Sequence, residues 1–237
     1  SYDAYTSWNA LDATKYDRLS GPEWAEITAK TNFLNGVNVY NGQAFIERIL
    51  AGERPQEHDW VDELTRTGRI ESHNLSVTGG SENSNYFSSL SYFDQDGVVY
   101  GSDLERFTLR LNSDHKIGKR VKIGNTLLLS RSKSNRQSNV NPQDNSNDYI
   151  KRTVSVNPYK PIYGPDGYYA GSDDHDPDAD GIFDQDPTHI IWAAKENLDL
   201  YTSNRAWTSA YLDFEVIDGL TLHTMASIDF NYQKRED

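Results

Sequence analysis

A chain of 237 residues with a formal net charge of −13, 36% hydrophobic residues and a mean hydropathy of −0.77 is too polar for spanning helices. No run approaches the roughly 20 apolar residues that such a helix needs. Acidity disfavours nucleic-acid backbones, which repel a negative surface, and the absence of cysteine excludes a disulfide framework and thiolate chemistry. A transmembrane barrel stays open, because only every second residue of its strands faces lipid. The 15 Tyr, 8 Phe and 5 Trp also suit boundaries between apolar and wet surroundings. The sequence starts at Ser1-Tyr2-Asp3 without a secretory leader, so we expect processing or a start that lies elsewhere.

In chain order, a short strand is expected near Tyr2 to Trp8, followed by a long connection from about Asn9 to Gly68. That connection holds three helical segments. The first opens at Ser20-Gly21-Pro22-Glu23 and runs to about Lys30, with Ser20 as N-cap, Pro22 tolerated in the first turn and Glu23 completing a capping box. Gln43 to Ala51 and Asp59 to Arg66 are the others. Four strands then read as a meander: Ile70 to Thr78, Asn85 to Asp94, Leu104 to Ser113 and Arg120 to Arg131. In the third, Phe107, Leu109 and Leu111 share one face while Thr108, Arg110 and Asn112 share the other. Gly79-Gly80-Ser81-Glu82-Asn83-Ser84 and Asp114 to Lys119 are read as turns.

After a second long connection, about Ser134 to Asn204, come Arg205 to Val216 and Leu220 to Gln233, joined by Ile217-Asp218-Gly219, a strong tight-turn signal. The connections thus run long, short, medium, short, long, short. Strict alternation puts every tight turn at one end, as in bacterial outer-membrane barrels. Loops of more than about 15 residues are uncommon inside compact domains.

Two candidate sites lie in the second long connection. From Asp176 the sequence reads D-x-D-x-D-G-x-x-D, the first nine places of a calcium loop. Asp176, Asp178 and Asp180 can converge on one ion, Gly181 permits the turn, Ile182 offers its carbonyl, and Asp184 binds directly or through water. The twelfth place is Pro187 rather than a bidentate Glu, with Asp186 as a substitute. The alternative is a solvated acidic loop. Tyr163, Tyr168, Tyr169 and Trp192, with Tyr159, could stack on sugar rings or pack a loop on its own scaffold. No zinc-binding histidine pattern, phosphate loop or nucleophile elbow is present, so no enzyme signature is seen.

Asp59-Trp60-Val61-Asp62-Glu63-Leu64-Thr65-Arg66-Thr67-Gly68, then His73-Asn74-Leu75-Ser76-Val77-Thr78-Gly79-Gly80, resembles the start of the barrel of SusC/RagA-type TonB-dependent transporters. The likeness continues through Asn85 to Val99, Gly101 to Asn112 and Ile123-Gly124-Asn125, so its core covers about Asp59 to Ser132. The resemblance implies an all-β fold, an antiparallel meander forming part of a transmembrane β-barrel, with short helices in long extracellular loops. It also implies that residues 1–237 are a partial barrel of about seven strands, with plug and remaining strands absent, since plugged barrels have about 22. It implies location in the outer membrane of a Bacteroidetes-type bacterium and import of an oligosaccharide or peptide. Expected partners are a SusD-like surface lipoprotein, TonB and membrane lipids, without nucleic acid, and calcium is the one expected cofactor. The competing readings are a calcium-stabilised secreted or cell-surface β module that binds glycans, built as two packed sheets over a shared core, and, more distantly, an extracellular glycoside hydrolase.

Overall fold

The computed structural model describes residues 1–12, 18–34, 43–135, 149–164, 167–169, 190–196 and 199–236. The chain divides into two compact units, one made of Ser1–Asn9, Thr67–Arg136 and Leu198–Asp237, the other of Ala10–Arg66 and Gln137–Asn197.

The first unit is one antiparallel sheet whose strands lie side by side in chain order: β1 (Tyr2–Asn9), β2 (Gly68–Ser81), β3 (Ser84–Asp96), β4 (Asp103–Ile117), β5 (Val121–Asn135), β6 (Leu200–Ile217) and β7 (Leu220–Glu236). The strands run further than the sequence reading placed them. Gly79, Gly80 and Ser81, read as a turn, pair with Tyr86, Asn85 and Ser84, and β4 continues to Ile117 opposite Val121. Ladder bonds are the cause: pairing satisfies backbone groups that a wider turn would leave bare, and glycine weakens a strand without breaking it. Gly118 and Gly219 close the second and third tight turns at φ +64° and +84°, a conformation that L side chains rarely adopt.

Register carries geometric information. Leu75, Leu90, Leu109, Leu129, Ala206 and Phe230 stand in one row across β2 to β7. From that row the first tight turn begins six residues away (Leu90 to Ser84), the second eight (Leu109 to Ile117) and the third ten (Phe230 to Leu220). Two residues per hairpin is about 6.8 Å of rise over two strand spacings of about 9.6 Å. If the tight turns share one level, the strands tilt by roughly 35°, at the lower end of the range for barrels. A single bulge between Glu215 and Ile217 interrupts the ladder.

The second unit is helical. Its helices are α1 (Gly21–Leu34), α2 (Gln43–Leu50), α3 (Trp60–Leu64), α4 (Tyr149–Ser155) and α5 (Ile190–Glu196). The capping box at Ser20 forms: the Ser20 backbone N–H donates to Glu23 Oε2 at 2.9 Å and the Glu23 N–H to Ser20 Oγ at 3.4 Å. Helix α3 has Asp59 as N-cap, accepting from the Asp62 N–H at 2.9 Å, and stops at Leu64 because Thr65 is extended. Ala25, Phe45, Ile46, Ile49 and Tyr159 form one core cluster, where the absent side chain of Gly21 admits the Tyr159 ring. Helices α3, α4 and α5 pack together and bury Trp60, Leu64, Tyr149, Ile190 and Ile191.

Every buried hydrophobic side chain among the described residues belongs to the helical unit, and none to the sheet. That corrects the competing reading of a two-sheet sandwich, which needs two inner faces sharing an apolar core. The described strands form one sheet, and neither face has an apolar interior.

Close packing within the sheet yields one prediction. Gly124 is buried opposite Tyr211, and a Cβ there would stand 2.3 Å from Tyr211 Cε1 and 2.5 Å from Asp114 Oδ1. Gly124→Val should destabilise the folded protein by about 1–3 kcal/mol. Adding Tyr211→Ala should restore much of the loss. The thermal midpoint reads both effects, and an unchanged midpoint in Gly124→Val contradicts the packing described.

Candidate functional site

Because side chains alternate along a strand, the register assigns each residue of the sheet to one of two faces. One face is apolar in its middle. Next to the row of Leu75, Leu90, Leu109, Leu129, Ala206 and Phe230 lies Val77, Ser88, Leu111, Leu127, Thr208 and Ile228, and further toward the tight turns stand Ile123, Val121, Leu212, Phe214 and Leu222. These side chains are open to the surroundings: Leu90 is 51% exposed, Ile228 67% and Phe230 61%. The stretch Phe107–Ile117 is about 33 Å long at the strand rise and stands about 27 Å tall at a tilt near 35°, close to the roughly 25 Å of the apolar band on an outer-membrane barrel.

Chemistry changes at the upper border of this band, toward the strand ends that lead into the long connections. Tyr2, His73, Tyr92 and Phe107 form an aromatic run there, with Tyr2 Oη 2.7 Å from His73 Nδ1 and the Tyr92 and Phe107 ring centroids 4.7 Å apart. One row higher the same face is charged, with Glu71, Asp94, Glu105, Lys133 and Lys234 side by side. Aromatics at the edge of an apolar band and charges beyond it are the girdle arrangement of barrel walls.

The opposite face is mostly polar, with Ser72, Ser89, Thr108, Asn112, Ser130, Ser209 and Asn231 among its residues and Phe93, Leu128 and Trp207 as apolar exceptions. Several of its charged groups are held within the sheet. Arg205 grips Asp229 through two bonds of 2.9 and 2.6 Å, Tyr211 donates to Asp114, and the Arg106 guanidinium lies 5.4 Å from the centre of the Phe93 ring. A face dominated by hydroxyls, amides and charged groups suits an aqueous lumen or a folded plug. Among the described residues no helix is long and apolar enough to cross a membrane, a test that does not bear on strands.

The helical unit holds the aromatic candidates. Tyr163 and Tyr169 are brought together, bridging as isolated β partners with rings stacked at 5.3 Å and 23°. The Tyr163 hydroxyl donates to Glu63 Oε1 at 2.5 Å, Lys195 Nζ donates to the same oxygen at 2.9 Å, and the ammonium lies 5.8 Å from the Tyr169 ring centre. The hydrogen bond to Glu63, aided by partial burial, pushes the Tyr163 hydroxyl up to about 12. Burial works against the Lys195 charge, but Glu63 outweighs it and its ammonium is held above the usual range. Tyr168 is 76% exposed beside this stack, and Trp192 sits half-exposed on α5. Sequence reasoning missed Glu63 and Lys195, which lie 100 and 32 residues from Tyr163, too far for any local pattern to mark. The candidate calcium loop, Asp176 to Asp184, lies outside the described residues. Among the described residues no cluster of three or more potential metal ligands occurs.

No family model matches the chain. It is 35% identical over 184 residues to TonB-dependent receptor P3 of Formosa agariphila, an alignment covering 77% of this chain and 17% of that protein. It is 30% identical over 112 residues to TonB-dependent receptor SusC of Bacteroides thetaiotaomicron, covering 47% of this chain and 10% of that one. The chain therefore spans under a fifth of the length of the curated relatives it matches. In three dimensions it is similar to the RagAB peptide importer in its closed-closed state, with a TM-score of 0.73, 20% identity, and coverage of 99% of this chain and 28% of that one. The open-open state of the same importer gives 0.71.

The Tyr163 bond has a pH signature. Its neutral form is favoured by the fold, so the stability it contributes is full below about pH 10 and is lost as pH rises through about 12. In an absorbance titration, one late-ionising phenol near pH 12 should vanish in Tyr163→Phe, which also loses about 1 kcal/mol of stability at pH 7. Identical titrations of the two proteins would rule the bond out.

Proposed function

The chain belongs to the SusC/RagA family of TonB-dependent receptors of the outer membrane, a family of transporters rather than enzymes, and we propose that it forms a sector of such a transporter's barrel wall. The observation that carries this reading is the seven-stranded meander with an exposed apolar band and, among the described residues, no buried hydrophobic side chain in the sheet. Further strands pair with the open edges of β1 and β7 to close the barrel, because an edge cannot face lipid with its backbone groups unsatisfied. A plug then lies against the polar face.

The whole receptor imports a large nutrient, an oligosaccharide or a peptide, with energy passed on by TonB and a SusD-like lipoprotein capping the barrel from outside. Support for a sugar comes from the stacked Tyr163 and Tyr169 with exposed Tyr168 beside them. Support for a peptide comes from the RagAB importer, whose fold the chain shares. The loop from Asp176 to Asp184 takes a calcium ion that stiffens it, a reading supported by its carboxylate spacing.

Uptake of fluorescent oligosaccharides and peptides by cells with and without the receptor tests the proposal. Accumulation should need both the receptor and an energised inner membrane, and uptake that survives deletion of the receptor gene overturns it. If the nutrient is a sugar, Tyr168→Ala should weaken its apparent affinity by roughly two- to tenfold, the value of one aromatic stack. Calorimetry of the receptor with millimolar calcium tests the loop, since extracellular calcium modules bind at about 10⁻⁴–10⁻³ M. Absence of heat there removes the ion from the account.

A further inference from the structure

The apolar face is not uniform. On β6 it carries the small residues Ala206, Thr208 and Ala210 between larger neighbours, Leu127 and Leu129 on β5 and Ile228 and Phe230 on β7. A groove of about 380 Å³ opens over the row that runs from Leu90 and Leu109 through Leu129 and Ala206 to Phe230, with Phe107, Arg131 and Asn204 at its upper end. Just above stand two more cations on the same face, Lys133 on β5 and Lys234 on β7, separated by Thr202 on β6. Arg131 and Lys133 are exposed, and Lys234 is held beside Glu236.

We infer that this groove and its cationic rim bind an acylated glycolipid carrying phosphates, one acyl chain lying in the groove against Leu129, Ala206 and Phe230 and the phosphates meeting Arg131, Lys133 and Lys234. The inference rests on the reading of these strands as membrane-spanning, which sets the rim at the level of lipid headgroups. Cations on β5 and β7 stand about 10 Å apart, two strand spacings, so the head they suit carries charge at two points on a polar spacer. Thr202 and Asn204 lie between them and offer a hydroxyl and an amide to sugar hydroxyls. The neighbouring wall restricts the site. Glu71, Asp94, Asp96, Asp103 and Glu105 occupy the same levels of this face on β2, β3 and β4. They repel a phosphate, as Glu236 does from the β7 side, so the head is confined to the basic sector from β5 to β7.

The full-length receptor, purified in detergent and checked for a folded barrel by its electrophoretic mobility, is titrated with a labelled bisphosphorylated acyl glycolipid. Two probes serve as comparisons, the dephosphorylated glycolipid and phosphatidylglycerol. Each basic residue near a membrane surface contributes about fivefold in affinity. Arg131→Ala, Lys133→Ala and Lys234→Ala together should weaken binding of the phosphorylated probe by roughly a hundredfold, and the wild type should lose a similar factor with the dephosphorylated one. Ala206→Phe, which fills the groove and keeps every charge, should weaken both glycolipids. Lys119→Ala, in a tight turn at the other end of the sheet, should leave binding within about twofold. Equal wild-type affinity for the phosphorylated and dephosphorylated glycolipids overturns the inference, and so does equal affinity for phosphatidylglycerol. Either result in a receptor that folds and imports its nutrient leaves the transporter reading in place. A wild-type receptor that inserts no barrel defeats both.

Discussion

Leucine, isoleucine and phenylalanine side chains project from one face of a seven-stranded sheet that offers them no partner, and the rest of the structure follows from that mismatch. About a dozen large apolar residues of this face are a third to two-thirds exposed. At about 1.5–3 kcal/mol for complete burial of each, leaving them in water forfeits on the order of 10 kcal/mol, comparable with the whole stability of a domain. A surface of this extent persists only where something apolar covers it. The opposite face is mixed and has less need of such cover, since hydroxyls, amides and ion pairs such as Arg205–Asp229 surround its few apolar residues, Leu128 and Trp207 among them.

Lipid is the cover that fits the dimensions. The band is about as tall as a barrel's apolar belt, it ends upward in aromatics and then charge, and the stagger of the tight turns sets a tilt found in closed barrels. A soluble sandwich would have placed the same alternating residues against a second sheet. The low mean hydropathy belongs to the same arrangement, because half of each strand faces away from lipid. Membership of the SusC/RagA family and the shared fold with the RagAB importer agree with this physical reading while resting on different observations.

Much of the fold was legible in the sequence, and the reasons are local. Period-two alternation in Leu104 to Ser113, the Asp218-Gly219 turn and the Ser20–Glu23 capping box are interactions among residues close in sequence, and each formed. Strand ends were less legible, because ladder pairing carried Gly79 and Gly80 into β2 against their turn propensity. Helices α4 and α5 were missed, since β-branched Ile150, Thr153, Val154, Ile190 and Ile191 give a weak helical signal and their stability comes from packing on α3 and on each other. The aromatic candidates were visible as residue types, while the Glu63 and Lys195 that tie Tyr163 down were not, because distant segments supply them. The basic sector of Arg131, Lys133 and Lys234 needed register, which sequence alone leaves open.

Leu127-Leu128-Leu129 is the place where the account is most exposed to test. Hydrophobicity treats the three leucines alike, whereas register sends Leu127 and Leu129 to the apolar face and Leu128 to the polar one. This chain has no cysteine, so single cysteines can be placed at each position from 126 to 131 of the full-length receptor in lipid vesicles and labelled with an environment-sensitive fluorophore. A lipid-soluble quencher should act at 127 and 129 and spare 126, 128 and 130, with a water-soluble quencher giving the reverse. Equal quenching at 127, 128 and 129, or lipid contact at 128 alone, would contradict the claim that this sheet is a barrel wall with lipid on one face.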